Sequence, residues 1–160
     1  MVTAHTVHRA MPGDAGLMAA LHAASFARAW DEAAMTQFVA APGVLCLIGL
    51  CTDKTPAGLL IARAAADEAE LLTFGVVPEC RRAGLGRALL EHAVAELSSS
   101  GATQLFLEVD EASGAAMALY RGLGATQAGR RPRYYESGAN AAIFSLALSD
   151  SPSDDGPVVP

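Results

Sequence analysis

Cysteine is scarce in this chain and poorly spaced for metal. Only Cys46, Cys51 and Cys80 occur among 160 residues. They form no CxxC pair and have no nearby pair of histidines, so a zinc site is not expected. The odd count gives no disulfide framework, and each cysteine reads as a small buried hydrophobe or an inert thiol. No apolar run approaches the length a membrane helix needs. A charged segment followed by an apolar one is also missing from the first residues. Residues 17–27 are apolar but follow Asp14 and include His22, so they read as an amphipathic helix rather than a secretion signal. The cytoplasm is the expected location. Basic residues are in deficit, with 11 Lys and Arg against 17 Asp and Glu, a net charge of −6. Nucleic-acid binders tend to be basic, so direct nucleic-acid contact is not expected, while an acidic protein can attract a basic substrate. No internal repeat is visible.

What is present suits one packed domain. Hydrophobic residues make up 52% and charged residues 18%, enough apolar surface for a core. From Ser149 the composition turns to Ser, Asp, Pro and Gly, so residues 1–149 are expected to form the domain and 150–160 a disordered tail. Residues 4–10 alternate weakly and suit an edge strand, in which His5 and His8 are bland. Leu17, Met18, Leu21 and Phe26 make a helical stripe. Asp31 is placed to cap a second helix with Met35, Phe38 and Val39 on its apolar side. Residues 44–51 and 57–64 flank a polar turn and read as a hairpin. Residues 70–77 form a fourth strand and 105–109 a fifth, with helices after each. Residues 126–135 and 141–148 close the chain as paired strands. Gly124 is expected at the C′ position of the helix over 113–123. This order predicts an α/β or α+β chain, a mixed sheet with helices on both faces.

The stretch 74–91, FGVVPECRRAGLGRALLE, organises the rest. Phe74, Gly75, Val76 and Val77 suit a strand, and Pro78 closes it. A basic turn over 81–86 then opens a helix. Unpaired N–H groups and the helix dipole make such an entry an anion site. Gly84 and Gly86 leave no side chain between backbone and ligand, and Arg81, Arg82 and Arg87 add charge. The expected ligand carries a phosphate or pyrophosphate. A Walker loop is excluded because no Lys follows the glycines, and a dinucleotide fingerprint because a third glycine is missing.

The spacing Arg81-x-x-Gly84-x-Gly86 after Val76-Val77-Pro78 resembles the acetyl-CoA signature of the GNAT superfamily of N-acetyltransferases. Further residues, Phe106-Leu107-Glu108-Val109, the run from Ala115 to Tyr120, Gly122-Leu123-Gly124 and Arg130-Arg131-Pro132-Arg133-Tyr134-Tyr135, resemble its ribosomal-protein-alanine branch. The resemblance covers residues 4–148. It implies an acyl-CoA N-acyltransferase fold with a central, mostly antiparallel sheet and helices on both faces. It also implies acetyl-CoA as co-substrate, with no metal. Phe74, Gly75, Val76, Arg81, Arg82, Ala83, Gly84, Leu85, Gly86, Arg87 and Ser113 would contact the coenzyme, Ser113 standing where the family usually has Asn. Glu108 would be the general base and Tyr120 the general acid. The implied substrate is a protein N-terminus, that of an Ala-initiated ribosomal protein. Trp30, Tyr134 and Tyr135 are expected to frame its slot. Alternatives are a small amine, a lysine side chain, or coenzyme binding without catalysis. Period two places Glu108 on the face of Phe106, opposite Leu105, Leu107 and Val109.

Overall fold

Apolar runs become strands here where both faces find a cover. The computed structural model describes residues 5–81, 83–135 and 137–148, so Arg82 and the expected tail at 150–160 lie outside the described residues. The chain runs β1 (Thr6–Arg9), α1 (Ala15–Ser25), α2 (Glu32–Ala40), β2 (Val44–Leu50), β3 (Pro56–Ala65), β4 (Glu68–Val76), α3 (Leu85–Ser99), β5 (Gln104–Asp110), α4 (Gly114–Gly122), β6 (Thr126–Arg131) and β7 (Ala141–Ala147). This is the order of elements expected from the sequence. The strands hydrogen-bond in the order β1-β2-β3-β4-β5-β7-β6. The β4–β5 pair is parallel; β1–β2, β2–β3, β5–β7 and β6–β7 are antiparallel. The sheet is therefore mixed and mostly antiparallel, as expected.

The described residues fall into two compact units, one of residues 5–64 and 71–93, the other of residues 65–70 and 94–148. In the first unit, β2 is buried from Leu45 to Gly49 because both of its faces are covered. On one face Cys46, Ile48, Leu59 and Ile61 pack with Ala15, Met18 and Leu21 of α1 and Met35 of α2. On the other face Gly49 and Gly58 stand in register. A Cβ at Gly49 would lie 2.8 Å from Leu85 Cδ1, and one at Gly58 2.9 Å from Leu89 Cδ1. Two facing glycines thus let the first turns of α3 settle directly on the hairpin. Asp31 caps α2 as expected, its Oδ1 accepting the Ala34 N–H at 2.9 Å, a contact worth about 1 kcal/mol.

In the second unit, β5 alternates. Leu105, Leu107 and Val109 are buried while Phe106 and Glu108 are half-buried on the opposite face. Gly124 takes φ +98°, and the Ala125 N–H reaches the Tyr120 carbonyl at 3.0 Å, so α4 ends at the expected glycine. Among the boundaries that depart from expectation, two bear on the candidate site. β6 stops at Arg131 rather than at residue 135, because Pro132 has no N–H to offer a ladder and Arg133 turns to φ +53°. The Asn140 side-chain oxygen holds that turn by accepting the Arg133 N–H at 3.0 Å. The basic turn ends sooner too. Gly84, at φ +91°, gives its carbonyl to the Ala88 N–H at 3.1 Å, so α3 starts at Leu85 and Gly86 and Arg87 belong to its first turn.

Candidate functional site

The first unit carries the helix entry. The Val77 N–H donates to the Ala57 carbonyl at 2.8 Å, tying the end of β4 to β3. A 3-10 turn at Pro78–Cys80 follows. Arg81 folds back, its Nε donating to the Val76 carbonyl at 2.9 Å. Ala83 and Gly84 are exposed, and Leu85 is buried beneath them. His5, read as bland from the sequence, places its Nε2 against the Ala83 carbonyl. The N–H groups of the first turn of α3 have no intrahelical acceptor, and the positive end of the helix dipole lies there. Arg87 is exposed and pairs with Glu91 at 2.7 Å. Such surface pairs are weak, so its charge can turn to an incoming phosphate. Phe74 and Gly75 are half-buried and Val76 is buried. Gly75 is required by packing, since a Cβ there would stand 2.9 Å from Ser25 Cβ and 3.0 Å from Phe26 Cε2. Every described coenzyme candidate except Ser113 therefore gathers around the β4–α3 connection. Ser113 belongs to the second unit. It precedes α4, and its N–H donates to the Asp110 carbonyl at 2.8 Å.

The second unit carries a carboxylate cluster. Glu108 Oε1 lies 3.3 Å from Arg131 Nη2, and its side chain is 31% exposed, enough for solvent or a ligand to reach it. The Arg131 guanidinium also lies 5.3 Å from the Tyr134 ring centroid, and Tyr134 meets Tyr135 edge-on at 5.1 Å. A hydrogen bond to the Glu108 carboxylate, together with its charge, raises the Tyr134 phenol above its ordinary value. Burial, then the charges of Asp110 and Glu108, raise Tyr135. Arg130 and Glu111 pair beside this group.

Tyr120 sits elsewhere. It is buried on α4 and meets Phe144 edge-on at 6.0 Å. Burial, with a smaller push from Tyr135, raises its phenol well above the ordinary range, so the hydroxyl keeps its proton. Phe144 is in register with Leu107, and Glu108 with Ile143. Cross-strand partners share a face, so Tyr120 lies on the face opposite Glu108. The unit thus offers a proton acceptor on one face of the β5–β7 pair and a protonated hydroxyl on the other.

Trp30 belongs to the first unit and Tyr134 and Tyr135 to the second. Trp30 stacks on His22 at 4.8 Å and meets Phe38 at 5.2 Å. Its backbone N–H donates to His22 Nδ1 at 3.0 Å, which leaves the ring proton on Nε2, 3.1 Å from Thr73 Oγ1. Burial lowers the His22 pKa, in keeping with a neutral ring. His22 and Arg131 are the site neighbours that sequence reading did not single out. The arginine-rich run was visible, but nothing in it named Glu108 as a partner. Among the described residues no three His, Cys, Asp or Glu side chains are grouped to hold a metal, and no helix is long and apolar enough to cross a membrane.

Comparison with known proteins bears on both units. The model of the acetyltransferase (GNAT) family matches residues 17–125. An alanine N-acetyltransferase of ribosomal protein bS18 from Salmonella typhimurium is 40% identical over 103 residues, covering 62% of this chain and 70% of that one. Its counterpart from Escherichia coli K12 is 42% identical over 96 residues, covering 58% of this chain and 65% of the relative. That second alignment falls just short of two thirds of the relative's length. The crystal structure of the Escherichia coli ribosomal-protein-alanine N-acetyltransferase matches with a TM-score of 0.82 at 31% identity, covering 98% of this chain and 99% of that one.

Proposed function

We propose that this chain, which belongs to the acetyltransferase (GNAT) family, moves an acetyl group from acetyl-CoA to the N-terminal α-amine of a protein. The acceptor is an Ala-initiated ribosomal protein, in keeping with the names of the relatives, and the reaction takes place in the cytoplasm. The observation that carries the chemistry is the acceptor–donor pair of the second unit, a half-exposed carboxylate on one face and a protonated phenol on the other.

An N-terminal ammonium has a pKa near ~8 and must lose a proton before it can attack. Glu108, directly or through water, takes that proton. The amine nitrogen then bonds to the thioester carbon, and the C–S bond breaks. Tyr120 gives its proton to the departing thiolate. The Val76 N–H serves as oxyanion donor, since that of Val77 is already committed to Ala57. The pyrophosphate takes the N–H groups at the start of α3, with charge from Arg81, Arg82 and Arg87, while Phe74, Gly75, Ala83 and Leu85 shape the path and Ser113 adds a polar contact. Trp30, Tyr134 and Tyr135 guide the acceptor.

The test uses two peptides and mass spectrometry. A peptide beginning with Ala and rich in Arg is expected to gain one acetyl group on its α-amine. The same peptide, blocked there but carrying free lysines, is expected to remain unmodified. Acetylation of lysine would replace the proposed acceptor with a side-chain amine, and no product from any amine would leave only coenzyme binding.

A further inference from the structure

Two thiols that acetyl transfer does not use lie side by side in the first unit. Cys51 follows β2 at the start of the hairpin turn, and Cys80 closes the turn after β4. Cys51 Sγ donates to Cys80 Sγ across 2.7 Å, and both are free and half-buried. Tight backbone turns hold each one. The Cys51 N–H donates to the Thr55 carbonyl at 2.9 Å, and its carbonyl accepts the Lys54 N–H at 2.8 Å. The Cys80 N–H donates to the Val77 carbonyl at 3.0 Å, and the Val77 N–H reaches Ala57 of β3 at 2.8 Å. Both turns are therefore anchored to the same hairpin. A disulfide bond is about 2.05 Å long, so closing this one moves the sulfurs together by only about 0.6 Å.

We propose that Cys51 and Cys80 form a reversible dithiol–disulfide site, oxidised by a peroxide, whose closed form restrains the loop leading into α3. The hydrogen bond to Cys80 and, less, burial push the Cys51 thiol up to about 11. The chemistry is the same from either sulfur and is written with Cys80 attacking. Its S–O bond forms as the peroxide O–O bond breaks, and one water leaves with the Cys80 proton. Cys80 is then a sulfenic acid. Cys51 attacks that sulfur, the S–S bond forms, and the hydroxyl leaves with the Cys51 proton as a second water. Two thiols and one hydrogen peroxide become one disulfide and two waters. Arg81 is the next residue along the chain, and Ala83 and Gly84 follow, so the bond ties the base of the loop to the β2–β3 turn. Cys46 is an internal control, since burial in the core pushes its thiol up to about 11.

The full chain is treated with one equivalent of hydrogen peroxide. The expected result is a mass loss of about 2 Da, a peptide joining Cys51 to Cys80, and recovery with dithiothreitol. Cys46→Ala is expected to behave like wild type. Cys51→Ala and Cys80→Ala are expected to lose the reaction and take up oxygen instead. If either of these fails to fold, the wild-type and Cys46→Ala peptide maps still decide the matter. Amide hydrogen exchange over residues 83–88 is expected to slow several-fold on closure. Three persisting thiols, oxygen adducts on wild type, or a disulfide between two copies would overturn the site. A closed bond with unchanged exchange would overturn the restraint. No readout depends on acetyl transfer, so this inference and the proposed function fail separately.

Discussion

Glu108 and Tyr120 separate cleanly by substitution because each keeps its shape when its proton chemistry is removed. Glu108→Gln leaves the strand and its neighbours in place and removes the proton acceptor. Its kcat is expected to fall by roughly 10²–10⁴-fold with acetyl-CoA affinity little changed. Turnover equal to wild type from pH 6 to 9 would reduce Glu108 to the ion-pair partner of Arg131. Tyr120→Phe keeps the ring against Phe144 and removes one hydroxyl. Because burial raises this phenol above its ordinary value near ~10, wild type is expected to show no loss of rate from its ionisation below that pH. The variant is expected to turn over more slowly across the range, with a parallel pH profile. A descending limb near pH 8 that vanishes in the variant would contradict the buried, protonated state. The facing of Glu108 was legible from period two. Its tie to Arg131 and Tyr134 was not, because that pairing depends on how β6 ends and where the following turn points.

At the scale of elements, the glycines of the β2–β3 hairpin matter more than their exposure suggests. Gly58 meets Leu89 and the Gly75 carbonyl, the latter 3.2 Å from where a Cβ would sit. A leucine tip can move; the backbone of β4 cannot do so cheaply. Gly58→Val is therefore expected to destabilise by roughly 1–3 kcal/mol, as overpacking does. At about 2–4 °C per kcal/mol, thermal melting should show a drop of several degrees. Because Leu85 and Leu89 sit in the first turns of α3, acetyl-CoA affinity is expected to weaken in the same variant. A melt and a titration both indistinguishable from wild type would show that α3 does not depend on this close approach. The hairpin itself was readable from two apolar runs around a polar turn. The facing of its glycines was not, since it requires the register, including the irregularity between Gly49 and Leu50.

For the whole molecule, charge is the property that reaches farthest. A net charge of −6 attracts a basic peptide before any contact forms. The Debye length is about 10 Å at 0.1 M salt and about 3 Å at 1 M, so added salt removes most of that attraction. For the Ala-initiated, Arg-rich peptide, kcat/KM is expected to fall as salt rises, with KM taking most of the change. For an Ala-initiated peptide without charged side chains, the dependence is expected to be much weaker. Equal salt dependence for the two peptides would place the recognition in short-range contacts instead.

The sequence alone determined the order of elements, the mixed sheet, the Asp31 cap, the Gly124 helix end and the alternation along β5. Each of these rests on forces acting over a few neighbouring residues: periodic burial, a capping oxygen, a left-handed glycine. Tertiary structure decided the rest. It set Tyr120 on the face opposite Glu108, brought Arg131 to that carboxylate, laid His5 on the Ala83 carbonyl and put Cys51 against Cys80, two thiols that had read as inert. Those contacts join residues far apart in the chain. They follow from strand register and turn direction, which arise only when distant segments compete to pair, and no local pattern around Cys51 or Glu108 records the outcome.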